Sequence, residues 1–238
     1  MPSEPARSLH LRGVRVATPE RLRGPHCPIP ERVRTALEDL GAEVIVLRPG
    51  MQLRGVRFDS LLLTGGTDPN PVLYGQPPTR EDYDDERDHR ELAAVEFALK
   101  AHKPILGLCR GMQLLAIRLG CELAPLARPR LHGGAMTRSG PAPVLHDVVL
   151  AAGSRLASLV GTTLLTGCSS HHSWDISPRD MVDALIVGTS TDGAIEALEY
   201  VRRPAVGVMW HPEDSYNLSS QQAAVFRCLA PPERPRRV

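Results

Sequence analysis

The sequence contains no apolar run long enough to cross a bilayer, no Cys-x-x-Cys pair and no marked excess of either charge. The first absence argues against a transmembrane segment. The opening Met1-Pro2-Ser3-Glu4-Pro5-Ala6-Arg7 also lacks the apolar core of a secretory signal, so a cytoplasmic protein without a membrane partner is expected. Five cysteines, at 27, 109, 121, 168 and 228, form no even framework, and reduced thiols are expected rather than disulfides. With 28 basic and 27 acidic residues the formal charge is +1, which gives no bulk attraction for nucleic acid. There is no internal repeat, and no Gly-Lys-Ser/Thr ending marks a phosphate-binding loop.

What the 238 residues do contain is enough to bury one full core. We expect a single domain over 12–230, with flexible ends at 1–11 and at the Arg- and Pro-rich 231–238. Short apolar runs at 13–17, 43–47, 60–63 and 105–108 read as strands. They alternate with helical patterns at 31–40, 86–101 and 110–119, and Gly41 and Gly120 suit helix ends. Such alternation predicts an α/β fold: an open, mostly parallel sheet flanked by helices on both faces. Beyond Leu123 the pattern changes to strands at 146–150, 183–188 and 194–199 joined by short turns, which predicts a small antiparallel annex. A strand at 205–210 and a helix at 219–229 close the chain.

The chemistry centres on Gly107-Leu108-Cys109-Arg110-Gly111, where a buried strand turns directly into a helix. Glycines on either side of Cys109 leave room for the strained backbone of a nucleophile elbow, and the helix start favours a thiolate. An ordinary buried cysteine is the alternative. A cysteine nucleophile needs a base, and the base needs an orienting group. Trp210-His211-Pro212-Glu213 supplies both at the end of the last strand, at the sheet edge where open α/β sheets place their sites. The backbone N–H groups of Gly66 and Arg110 are the expected oxyanion donors, although Gly65-Gly66 also suits a plain tight turn.

Taken together, Gly107-Leu108-Cys109-Arg110-Gly111-Met112-Gln113 and Trp210-His211-Pro212-Glu213 resemble the class I glutamine amidotransferase superfamily. The segment from Thr64 to Pro71, then Tyr74, Asp84, Arg87, Asp88 and Glu91, then Ser169-Ser170-His171-His172 and Thr191-Asp192-Gly193-Ala194-Ile195-Glu196, resemble its γ-glutamyl-γ-aminobutyrate hydrolase branch, peptidase family C26. The resemblance runs from about Glu31 to Leu229. It implies a Cys109–His211–Glu213 triad that hydrolyses γ-glutamyl amides through a thioester on Cys109, with Gln113 binding the glutamyl group.

Where the branch reads Asn-Ser-x-His-His-Gln, this chain has Cys168-Ser169-Ser170-His171-His172-Ser173, followed by Trp174-Asp175. That loop bears on the leaving amine, and Ser170, His171 and His172 are candidate substrate contacts, or else polar loop residues. His132, His146, His171 and His172 form no short ligand run, so neither metal nor cofactor is expected. The acidic run Asp82, Asp84, Asp85, Glu86 and Asp88 reads mainly as favourable charge on a solvated helix start, with attraction of a cationic amine substrate as the sharper option. The partner implied is a small γ-glutamyl amide, and a homodimer is allowed. Two other readings stay open: a glutaminase component feeding ammonia to a separate synthetase, and a non-catalytic or redox-sensing α/β protein.

Overall fold

The computed structural model describes residues 10–21, 29–133, 136–137, 140–141, 143–178, 181 and 183–232. The expected flexible end at 1–11 lies outside them except for His10 and Leu11, and so does most of the tail at 231–238. Cys27 also lies outside. Leu11 itself is buried, with its N–H donating to Leu40 O at 3.0 Å.

In chain order the elements are β1 (Arg15–Pro19), α1 (Glu31–Asp39), β2 (Glu43–Leu47), β3 (Ser60–Leu63), α2 (Asp85–Lys100), β4 (Ile105–Leu108), α3 (Arg110–Arg118) and β5 (Glu122–Pro125). Then follow β6 (Met136–Thr137), β7 (Gly140–Pro141), β8 (Val144–Leu150), α4 (Arg155–Val160), β9 (Leu164–Ser170) and β10 (Trp174–Ser177). The last are β11 (Ala184–Ser190), β12 (Ile195–Tyr200), β13 (Ala205–Val208) and α5 (Ser220–Val225).

Nine strands form one sheet in the order β2-β1-β3-β4-β13-β12-β11-β8-β9. The half from β2 to β13 is parallel, and β12, β11, β8 and β9 continue it antiparallel. The strands expected to form an antiparallel annex, at 146–150, 183–188 and 194–199, are β8, β11 and β12 of this main sheet, and the small separate antiparallel sheet is instead the pair β5–β10.

Period-two alternation along the strands sends side chains into two cores. Leu62, Leu106, Leu108, Val206 and Val208 pack with α1, α4 and α5. Leu61, Leu63, Ile105 and Ala205 pack with α2 and α3 on the other face. Helices therefore cover both faces, as the alternation in sequence requires.

The edges differ modestly from expectation. The first strand begins two residues later than predicted, and the last stops at Val208 rather than Trp210. The closing helix is α5 followed by a 3-10 turn over Phe226–Leu229.

Candidate active site

Three neighbouring parallel strands end at the same edge of the sheet. β3 runs into Gly65-Gly66, β4 into Cys109 and β13 into Met209-Trp210-His211, with Leu63 opposite Gly107 and Leu108 opposite Val208. Cys109 adopts φ 49° and ψ −104°, a backbone region that a residue with a Cβ rarely enters. The turn fits because its glycines allow close approach. A Cβ on Gly107 would lie 2.5 Å from the Gly111 carbonyl carbon, and one on Gly111 would lie 2.6 Å from Leu63 O.

Cys109, His211 and Glu213 are all buried. His211 Nδ1 lies 2.8 Å from Glu213 Oε1. Its Nε2 is buried without a hydrogen-bond partner, and Cys109 is near enough to act on its charge. Burial opposes an imidazolium here, but the Glu213 carboxylate and Cys109 outweigh it and hold the His211 pKa well above the ordinary histidine value. Gly65 measures how tightly these groups meet, since a Cβ there would lie 2.8 Å from His211 Cε1 and 3.7 Å from Cys109 Cβ. Burial pushes the thiols of Cys168 and Cys228 up to about 12.

Under the two glycines lies a buried ionic lattice. Arg110 pairs with Asp88 and with Glu91. Arg87 Nε donates to Glu91 Oε1 at 2.7 Å, and its Nη2 donates to Thr64 O at 3.3 Å and to Gly65 O at 3.2 Å. A side chain on Gly66, at φ 151°, would collide with Arg87 Nη1. Arg110 and Gly66 thus stand together at the site, and the Arg110 side chain anchors the elbow from below. Asp88, expected on a solvated face, is buried against Arg110 instead. Its neighbour Asp84 caps α2 by accepting from Arg87 N at 3.2 Å.

Gln113 is fully buried. Its Nε2 donates to Asp68 Oδ1 at 2.9 Å, while Oε1 has no hydrogen-bond partner. Asp68 in turn lines a hollow with Tyr74, Tyr83 and Trp174.

Of the three loop candidates, only His171 reaches the triad, with its ring stacked on His211. Ser170 Oγ donates to His132 O at 3.1 Å, and His172 Nε2 lies 3.4 Å from Glu196 Oε1, so both side chains are engaged away from the thiol. Asp214 was not singled out beforehand, and Ser169 was quoted only as part of the loop motif. They meet behind His171, where Ser169 Oγ donates to Asp214 Oδ2 at 2.6 Å. Adjacency to Glu213 was the only signal in the sequence. The absence of a ligand set was argued from spacing along the chain, but His132, His146 and His172 converge in space on Glu196.

The Peptidase C26 family profile matches residues 49–213. A putative glutamine amidotransferase-like protein, YvdE of Lactococcus lactis, is 31% identical over 81% of this chain and 84% of its own length. The γ-glutamyl-γ-aminobutyrate hydrolase PuuD of Escherichia coli K12 is 31% identical over 73% of this chain and 69% of its own. A glutamine amidotransferase structure from Thermotoga maritima superposes with a TM-score of 0.61 at 16% identity, covering 91% of this chain and 96% of that one, which is a likeness of fold. The chain therefore belongs to the Peptidase C26 hydrolase family and carries the class I glutamine amidotransferase fold.

Proposed function

We propose that this protein hydrolyses γ-glutamyl amides through a γ-glutamyl thioester on Cys109. The carrying observation is the convergence of a strained Cys109, His211 and Glu213 around Gly65. In the first half-reaction His211 takes the thiol proton and the sulfur attacks the amide carbon. The carbonyl electron pair moves to oxygen, where the N–H groups of Gly66 and Arg110 receive the charge. Collapse breaks the C–N bond, and His211 returns its proton to the departing amine. Water, deprotonated by His211, then attacks the thioester, releasing glutamate and restoring the thiol. Glu213 fixes the imidazole tautomer and stabilises the imidazolium. The raised His211 pKa supports this base-then-acid role.

Gln113, with a buried acceptor left open, is the residue we assign to the glutamyl group. The hollow beyond Asp68 suits the amine. The test is a panel of γ-glutamyl amides differing in amine charge and size, given to the purified protein with mass spectrometry of acid-quenched samples. Rapid turnover with a glutamyl adduct on Cys109 supports the reading. Turnover that appears only on adding a synthetase would favour the ammonia-donating alternative, and full activity in Cys109→Ala would overturn the nucleophile.

A further inference from the structure

A second group of reactive side chains lies apart from the thiol. His132 follows the turn Pro129–Leu131, His146 is on β8, His172 follows β9 and Glu196 is on β12. Glu196 Oε1 lies 3.1 Å from His132 Nδ1, 3.4 Å from His146 Nε2 and 3.4 Å from His172 Nε2. All four groups are deeply buried, with side chains no more than 9% exposed. Yet none of these close approaches has hydrogen-bond geometry. The three inner nitrogens and both Glu196 oxygens are buried without a hydrogen-bond partner.

The outer nitrogens explain why. His132 Nε2 lies 3.0 Å from Asp192 Oδ1, His146 Nδ1 3.2 Å from Asp147 O, and His172 Nδ1 3.0 Å from Trp174 O. A backbone carbonyl or a carboxylate can only accept, so each outer nitrogen carries the ring proton. In neutral imidazoles the inner nitrogens are then bare lone pairs, and all three lie within 3.4 Å of one carboxylate oxygen. Lone pairs crowded on an anion in a buried site repel one another unless positive charge lies among them. Among the described residues neither Glu196 nor Asp192 has an ion pair with arginine or lysine that would supply it.

A divalent cation supplies that charge with one particle. Outer N–H groups held by carbonyls and a carboxylate are the arrangement that orients metal-binding histidines. The approaches to Glu196 Oε1, 3.1–3.4 Å, are close to the ~3.3 Å that separates ligands of a tetrahedral zinc bonded at ~2.0–2.1 Å. His132, His146 and Glu196 are the three whose ligand atoms all lie within 4.8 Å of one another; His172, 3.4 Å from the same carboxylate oxygen, is the fourth donor, which the ion would draw in.

We propose that His132, His146, His172 and Glu196 bind one divalent transition-metal ion, zinc by its nitrogen-and-oxygen donors, as a closed structural site. Four protein donors leave no open position for substrate. The ion ties β8, β9, β12 and the 129–133 turn together directly behind the triad. Glu196 O accepts from Met209 N at 2.8 Å, and Ser169 O accepts from His211 N at 2.8 Å.

The inference is independent of the hydrolysis, since it is read without turnover. Untagged Cys109→Ser protein, which removes the thiol as a competing ligand, is dialysed against chelator and titrated with zinc chloride, and cobalt is substituted for spectroscopy. We expect one equivalent bound, a higher unfolding temperature with metal, and a tetrahedral cobalt spectrum without thiolate charge transfer. His146→Gln, at the most exposed ligand, is expected to weaken binding at least about tenfold. X-ray absorption of the zinc-loaded protein, expected to show imidazole scattering and no sulfur, serves as well should that variant not fold. Folded protein that takes up no zinc, a sulfur-ligated ion, or binding unchanged in folded His146→Gln would overturn the site.

Discussion

The ring of His171 lies flat on that of His211, with centroids 3.8 Å apart and planes 9° from parallel. Burial, and then the neighbouring His211, push the His171 pKa down to about 4, so the covering ring is neutral when the ring beneath takes a proton. A flat neutral ring limits the freedom and the wetting of the His211 imidazole. We expect His171→Ala to lower kcat about tenfold while His171→Phe keeps most of it, because an aromatic face suffices for the stack. Steady-state kinetics of both variants on one γ-glutamyl amide decide this, and equal losses would show that the imidazole nitrogens matter instead.

Gly65→Ala is expected to cut kcat about a hundredfold with little loss of stability. Its new Cβ would stand 2.8 Å from His211 Cε1 and must displace the ring, and misplacing a reacting group by ~1 Å costs on that order. Kinetics together with thermal unfolding separate this from a folding defect.

At position 109 the usual stability order of alanine over glycine should reverse. With φ 49° and ψ −104°, any Cβ is strained by about 1–3 kcal/mol, and glycine relieves that strain. Urea unfolding of Cys109→Gly and Cys109→Ala should find the glycine variant more stable and both inactive.

Arg110→Met is expected to destabilise the fold by about 3–5 kcal/mol, since it leaves the buried Asp88 without its cation and Glu91 with Arg87 alone. Chemical denaturation measures the loss, and a change under 1 kcal/mol, about the worth of an exposed pair, would mean that solvent reaches the lattice.

Asp214 gives a pH signature. Burial raises its pKa, but hydrogen bonds from Ser169 and Arg32 outweigh burial and hold it below the ordinary carboxylate value. A depressed folded pKa contributes stability above the unfolded value, which is lost as pH falls through the folded one. Asp214→Asn should therefore be less stable than the parent at neutral pH, and the difference should shrink on acidification. Unfolding curves across that range test the sign.

The strand-turn-helix around Cys109 was legible because a short apolar run, two glycines and a helical pattern all point to the same geometry. The four strands and three helices read upstream of Gly120 lie within about two residues of their expected ends. Six later elements, β5, β6, β7, α4, β9 and β10, were not read, and three of them show why. α4 has only six residues, too few for a periodic signal, although Ser154 caps it and Gly161 ends it. β9 mixes polar with apolar residues because its end, Cys168-Ser169-Ser170, is buried against other polar groups rather than in a uniform core. β10, four residues long and paired only with β5, carries no hydrophobic alternation of its own. The burial of Asp88 was also hidden, because the inward face of α2 holds Arg87, Asp88 and Glu91 where an amphipathic pattern would place apolar side chains.

By itself the sequence determined the alternating α/β plan, the elbow cysteine and the His-Pro-Glu at the last parallel strand, because each is written in neighbouring residues whose local physics is strong. Tertiary structure alone decided which polar side chains meet. It laid His171 on His211, drew Asp88 under Arg110 and gathered His132, His146 and His172 around Glu196. Such contacts join positions far apart along the chain, and their geometry is set by the order and register of strands, which no local pattern encodes.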